Sequence, residues 1–396
     1  MKVVPVGDIC DQIRGVTYAK KDASMQPKPG YSPVLRAGNI GDHGLVLDDL
    51  VYVPDSKISD RQRVAPNDVV IATSSGSIKV VGKAAQARHG FEGGFGAFCK
   101  VLRPGSEVDP LYFGHFFRTS AYRHRVSTLA AGANINNLKN EHLNNLLLPL
   151  PPRAEQKRIA KILDMADALR AKRRESLALL DELLRSTFLD MFGDPVTNPK
   201  GWEEQKFAAL ADGFRNGLSP STKGVVDGEV LTLSAITRGG FDFSKRRAAR
   251  FDKAASPRQM LSTDTFMICR GNGNLELVGA GAFPDRSSNS VCFPDTMIGA
   301  TVDQTVLSPA YLDYLWKSRR VREQIEKGAR TTNGTHKVNQ KILGSLVLPV
   351  PPLESQRGFG LVAERVEEQR RLAHAHLDQL DALFASLQSR AFRGDL

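Results

Sequence analysis

Cysteine is scarce in this 396-residue chain: Cys10, Cys99, Cys269 and Cys292 are the only four, and no two form a CxxC pair. That argues against a disulfide framework or a structural zinc site and suits a reducing, cytoplasmic setting. No apolar run approaches the ~18 residues that span a bilayer, so no membrane partner is expected. Met1–Gly15 hold no long apolar stretch followed by a small-residue cleavage site, and no secretory leader is expected. Catalytic signatures are missing as well. Gly82-Lys83 is followed by Ala84 and lacks the first glycine of a phosphate-binding loop. His374 and His376 lie two apart on a helical stretch and point away from each other, so they form no metal pair. Glu92-Gly93-Gly94-Phe95-Gly96 has no strand-then-helix frame, and Ser74-Ser75-Gly76-Ser77 is not a nucleophile elbow. The chain therefore reads as a binding or scaffolding protein, with no catalytic or metal-ligating residue and no bound cofactor expected.

What is abundant is positive charge. Lys and Arg number 54 against 43 Asp and Glu, a formal net charge of +11. A surface of that sign attracts polyanions, nucleic acid first among them. Hydrophobic residues at 41% supply real cores, and the length suggests two or three domains.

The chain is also written twice. Leu146-Leu147-Leu148-Pro149-Leu150-Pro151-Pro152 recurs as Leu346-Val347-Leu348-Pro349-Val350-Pro351-Pro352. The same offset carries Gln156, Leu177, Leu180, Asp181, Leu183, Ser186 and Phe192 onto Gln356, Leu377, Leu380, Asp381, Leu383, Ser386 and Phe392. Upstream the match is looser but ordered: Val69-Val70-Ile71 precedes Gly82 as Phe266-Met267-Ile268 precedes Gly279. A period this long is a domain duplication, not a solenoid, and implies a pseudo-two-fold pair.

Each copy has two parts. The first, 1–150 and 198–350, is rich in glycine, proline and short β-branched runs, with a helical stretch near its end. The second, 151–197 and 351–396, opens on Pro-x-Pro-Pro, which cannot continue a helix. Ala154–Met191 then contains neither glycine nor proline and predicts a helix roughly 55 Å long. Ile159, Ile162, Ala166, Leu169, Leu180 and Leu183 form a heptad-like seam, matched by Phe359, Val362, Val366, Ala373, Leu380, Leu383 and Leu387. The fold expected is α+β: two similar globular domains separated by two long helices that pair as an antiparallel coiled coil. Two globular readers held apart by such a pair would suit a split DNA site, with unlike half-sites because the globular parts have diverged most.

Three stretches carry a resemblance: Leu148-Pro149-Leu150-Pro151-Pro152-x-x-Glu155-Gln156 at the helix head, Phe192-Gly193-Asp194-Pro195 at its end, and Asn198-Pro199-Lys200-Gly201-Trp202 beyond. Together they resemble the specificity subunit of type I restriction–modification systems, over essentially the whole chain. In the second copy, Pro351-Pro352-Leu353-Glu354-Ser355-Gln356 moves the glutamate by one place. The resemblance implies target-recognition domains at 1–150 and 198–350 that read a bipartite, asymmetric double-stranded DNA sequence. It implies two modification (methyltransferase) subunits docked on the helices, binding S-adenosylmethionine and methylating adenine, and a restriction subunit that translocates and cleaves. Helix pairing and partner docking would fall to Pro151, Pro152, Glu155, Gln156, Ile159 and Leu180, and to Pro351, Pro352, Gln356, Phe359 and Leu380. Alternatives are a stand-alone DNA-binding adaptor, a structural connector, or a fused restriction–methylation enzyme; the last would need an Asn-Pro-Pro-aromatic motif that the sequence lacks.

For DNA contact, the polar loop Thr73, Ser74, Ser75, Ser77 and Lys79 follows a buried strand, and Arg270, Asn272 and Asn274 stand at the corresponding place in the second copy. Arg and Asn can read guanine and adenine edges, and the intervening glycines allow close approach. Asn134, Asn136 and Lys139, with Thr332, Asn333, His336 and Lys337, form a second pair of candidate segments before the proline motif. Lys245, Arg246, Arg247 and Arg250 are candidate phosphate anchors.

Overall fold

The computed structural model of the chain describes residues 2–131, 137–332 and 334–396. It divides into two compact units, Met1–Glu175 with His374–Leu396, and Ser176–Ala373. The division falls inside the long helices, Arg153–Phe192 and Leu353–Arg393, and not at their proline heads. Each helix gives its first part to one unit and its second part to the other.

In the first unit a four-stranded antiparallel sheet runs in the order Cys10–Arg14, Cys99–Pro104, Asp68–Ala72, Ala84–Ala87. Its strand Asp68–Ala72 is buried throughout. Alternate side chains leave a strand on opposite faces, so Val69 and Ile71 enter one core while Val70 and Ala72 enter another. A second sheet orders Val51–Pro54, Tyr31–Leu35 and Gly94–Phe95, the last pair parallel. Helices Pro110–Phe116 and Ser120–Ala131 cover the first core. Asp109 caps the former, accepting from the backbone N–H groups of Leu111 and Tyr112.

The second unit repeats the plan. Thr265–Cys269 is its fully buried strand, in the order Ala211–Asn216, Met297–Val302, Thr265–Cys269, Gly281–Ala282. Phe266 and Ile268 face one core and Met267 and Cys269 the other. The companion sheet again contains one parallel pair, Val226–Leu231 with Ser288–Cys292. Gly15 and Gly217 hold equivalent places: a Cβ on either would lie 2.1 Å from a backbone oxygen, of Gly96 and Phe293 respectively.

Parts of both long helices pack together within each unit. In the first, Arg158 Nη2 donates to the Leu396 carbonyl at 2.7 Å and Arg170 Nε to Asp381 Oδ1 at 2.5 Å. Numbers rise on one segment as they fall on the other, so these segments run antiparallel. In the second unit the order is the same: Arg370 Nε meets Asp181 Oδ1 at 3.2 Å and the Phe188 ring meets Phe359 at 5.4 Å. The buried helix residues differ from the expected seam. Leu169, Leu183 and Leu383 are exposed, while Leu163, Phe188, Phe384 and Ala391 are buried. The reason is that each helix segment faces globular layers as well as the other helix. Phe384 and Ala391 share a core with Tyr112 and Phe116, and Phe188 shares one with Tyr311.

Candidate nucleic-acid interface

The candidate segments that lie far apart in sequence meet in space, and they do so the same way twice. In the first unit, Leu138 N–H donates to the Thr73 carbonyl at 2.8 Å, and Ser74 bridges Asn137. In the second, Val338 N–H donates to the Arg270 carbonyl at 2.9 Å, and Gly271–Asn272 pairs with His336 and Lys337. Each loop is held on its other side by the end of the neighbouring strand. Thr73 N–H donates to Phe98 O at 2.8 Å and Arg270 N–H to Thr296 O at 2.9 Å.

Within the first loop, Thr73 is only 2% exposed and its hydroxyl donates to Phe98 O at 3.1 Å, so that side chain closes the loop from inside. Ser75 Oγ accepts from Ser77 N–H at 3.2 Å. Ser77 and Lys79 are exposed, and Lys139 is exposed with Glu141 at 3.6 Å. Asn134, Asn136 and Asn333 lie outside the described residues.

In the second unit, Asn272 Oδ1 accepts from Asn274 N–H at 2.9 Å and Asn274 Oδ1 from Glu276 N–H at 3.0 Å. Both asparagines therefore shape the turn with their carbonyls and keep their amide donors for other contacts. Arg270 Nη1 donates to Asp295 O at 3.2 Å. Arg330–Thr332 and Thr335–Lys337 form a β-ribbon turning at Gly334, whose φ of 71° is one glycine adopts without strain.

The basic cluster is an edge strand, Arg246–Phe251, beside Val226–Leu231. Lys245 pairs with Asp242 at 3.7 Å, Arg246 with Glu229 at 3.3 Å and Arg250 with Asp227 at 3.8 Å. Arg247 is exposed and, among the described residues, has no carboxylate within ion-pair distance.

Sequence reasoning missed a groove of about 1050 Å³ in the first unit, beside Ser74–Gly76 and lined also by Tyr18, Arg36 and Phe98. Phe98 is 68% exposed there. An exposed aromatic next to buried Cys99 gives no periodic signal, because the groove is assembled by pairing between distant strands.

The residues at the helix heads are committed inward. Gln156 Oε1 accepts from Asp109 N–H at 2.6 Å while its Nε2 donates to Pro151 O at 2.9 Å. Gln356 does the same with Ser308 N–H at 2.7 Å and Pro351 O at 2.7 Å. Pro151, Pro351, Ile159 and Phe359 are buried, Pro152 and Pro352 exposed, and Leu180 and Leu380 half-buried. Among the described residues Glu155 pairs with Arg158 alone, at 2.7 Å. The shared glutamine, not the displaced glutamate, is thus what the duplication keeps. Among the described residues no cluster of three or more His, Cys, Asp or Glu could hold a metal, and no helix is long and apolar enough to cross a membrane.

Known proteins resemble this chain in sequence and in fold. The type I restriction modification DNA specificity domain matches residues 1–179. The EcoKI specificity subunit of Escherichia coli is 32% identical over 416 residues, covering 100% of this chain and 89% of that protein. The StySPI specificity subunit of Salmonella potsdam is 31% identical over 99% of this chain and 88% of its own length. The crystal structure of a type I S subunit from M. genitalium shares the fold, with a TM-score of 0.57 at 15% identity over 99% of this chain and 96% of that one. The chain belongs to the specificity subunits of type I restriction–modification systems, the non-catalytic subunits of those enzymes.

Proposed function

We propose that each unit reads one half of a bipartite, asymmetric DNA site, and that the chain directs adenine methylation or cleavage carried out by partner subunits. One observation supports this above the others: the Thr73–Lys79 loop with Asn137–Lys139, and Arg270–Asn274 with Arg330–Lys337, are built on the same backbone bond in both copies. Loops fixed on a rigid sheet are where recognition residues are carried, and their side chains have diverged while the frame has not. Ser74, Ser75, Ser77, Lys79 and Lys139 would contact the first half-site. Arg270, Asn272, Asn274, His336 and Lys337 would contact the second, with Arg247 anchoring phosphate.

In this reading the two long helices pair as an antiparallel coiled coil and set the spacing between half-sites. Their exposed apolar residues, among them Met165, Leu169, Leu361 and Leu372, are available to modification subunits that carry S-adenosylmethionine. A restriction subunit completes the complex. The test is methylation mapping in cells that express the chain with its modification subunits. A split, asymmetric adenine-methylated motif is expected; methylation without sequence preference would overturn the proposal.

A further inference from the structure

The β-ribbon of the second unit has two chemically distinct faces. Directly opposed residues of an antiparallel pair point to the same side. The register sets Arg330 opposite Lys337, and Lys337 opposite Gly271 of the third strand. It sets Thr331 opposite His336, and His336 opposite Asn272. One face therefore carries Arg330 and Lys337, the other Asn272, His336 and Thr331. Two contacts bear this out. Thr331 Oγ1 lies 3.1 Å from His336 Nδ1, and a Cβ on Gly271 would meet Lys337 Cγ at 3.0 Å.

The cationic face is costly to keep. Like charges directly opposite each other destabilise a ladder. Arg330 and Lys337 are exposed, and among the described residues neither has a carboxylate within ion-pair distance. Such a pair suits a polyanion brought from outside. The other face is short, polar and braced: the Thr331 hydroxyl holds the His336 ring, and Asn272 is fixed by its own turn, leaving its amide as a donor.

We infer that this ribbon enters the DNA major groove with its labour divided by face, a step that rests on the DNA-reading function proposed above. The two strands Arg330–Thr332 and Thr335–Lys337 form a ribbon that fits that groove, and Asn272 stands on the short third strand beside it. Arg330 and Lys337, long and flexible, reach the phosphates along the groove wall and fix position without reading sequence. Asn272 and His336, short and braced, meet base edges on the groove floor. In the tautomer whose Nδ1 accepts from the Thr331 hydroxyl, Nε2 of His336 carries the hydrogen, and both readers then present donors. The base edge that offers two acceptors, O6 and N7, is guanine. Thr331 is a positioning residue.

The experiment uses the assembled complex of this chain with its modification subunits and a duplex carrying the methylated motif, with a second duplex scrambled in the half-site read by this unit. Arg330→Gln and Lys337→Gln should each weaken binding to both duplexes alike. Each should also reduce the slope of log K against log salt by about 0.9, the value for one lost phosphate contact. Lys337→Arg should keep the slope. His336→Ala and Thr331→Val should leave the slope unchanged and relax the methylated motif at one guanine of one half-site. An unchanged slope in both cation variants, or relaxed sequence preference in them and not in His336→Ala, overturns the division by face. Failure of the unaltered complex to prefer the methylated motif over its scrambled form overturns the DNA-reading proposal and this inference together.

Discussion

The side-chain carbonyl of Gln356 accepts the backbone N–H of Ser308 at 2.7 Å, and Gln356 is fully buried. Its amide donates to both Val306 O and Pro351 O. One side chain therefore satisfies the chain before a helix of the globular layer and the proline turn that opens the long helix. Gln156 repeats the geometry on Asp109 and Pro151.

Gln156→Ala and Gln356→Ala are accordingly expected to destabilise the protein, because buried backbone groups lose their partners at about 1–3 kcal/mol each. Urea denaturation checks this. A change under about 0.5 kcal/mol in both variants, the size usual for surface substitutions, would contradict the pinning role.

The helix contacts give a paired test. Phe384 is 5% exposed, and the Arg170 guanidinium lies 4.3 Å from its ring centroid. Its neighbour Leu383 is 48% exposed. Phe384→Ala should cost about 3–5 kcal/mol, and Leu383→Ala under about 0.5 kcal/mol. The heptad seam read from sequence predicts the reverse order, so the two midpoints of unfolding decide between them.

Much of this architecture was legible beforehand, and the gaps have physical causes. The duplication, the glycine-free helix and the proline turn are local signals, and both long helices begin at residues 153 and 353 as the Pro-Pro motif requires. The Thr73 and Arg270 loops were found because each follows a buried strand. The role of Gln156 was not legible, since a polar residue at a helix head reads as exposed until its non-local partner at Asp109 is known. The seam failed at Leu169 and Leu383 because periodicity presumes one partner, whereas these segments have two. Nor does sequence reveal that the carbonyls of Asn272 and Asn274 are occupied by their own turn.

Acid should weaken the first unit in two steps. Burial would raise the Asp164 carboxyl, but hydrogen bonds from His115 and Arg88 outweigh it and hold it down at about 2. A carboxyl depressed from 3.8 stabilises the fold above its unfolded value, and that contribution is lost as pH falls from about 4 to about 2. Burial lowers His115 below its ordinary 6.5, against the opposing bond to Asp164. The folded protein then resists protonating the ring, and stability begins to fall as pH drops below about 6.5. His115 is thus neutral at neutral pH and offers Asp164 a neutral hydrogen bond at 2.7 Å, while Arg88 supplies the charge. Asp164→Asn should be less stable at pH 7 and lose the lower step while keeping the upper. Denaturation midpoints measured across pH test this, and an unaltered lower step in the variant would assign it to another group.

Exchange of residues 1–145 for the same region of another specificity subunit is expected to change one half of the methylated motif and leave the other intact. The junction favours such an exchange because most of its bonds reach backbone atoms. Lys2–Pro5 pairs with Leu147–Leu150 through the main chain, and Val6 N–H donates to Leu146 O at 2.8 Å. Gln156 meets the N–H of Asp109, and Tyr112 OH donates to Pro149 O at 2.8 Å. Only the tyrosine hydroxyl among these requires a particular side chain in the incoming domain. The ion pairs Arg118–Asp167, at 2.6 Å, and Arg88–Asp164, and the His115–Asp164 hydrogen bond, do depend on side chains. An incoming domain that lacks them leaves Asp164 half-buried without a partner and Asp167 with Arg170 alone. Such a chimera should be less stable, and restoring arginines at the positions matching 88 and 118 and histidine at the position matching 115 should recover it without altering the motif. Methylation mapping of the chimera and its restored form reads both half-sites at once. A change in both half-sites would show that the two copies do not read independently, and a change in neither would remove residues 1–145 from recognition.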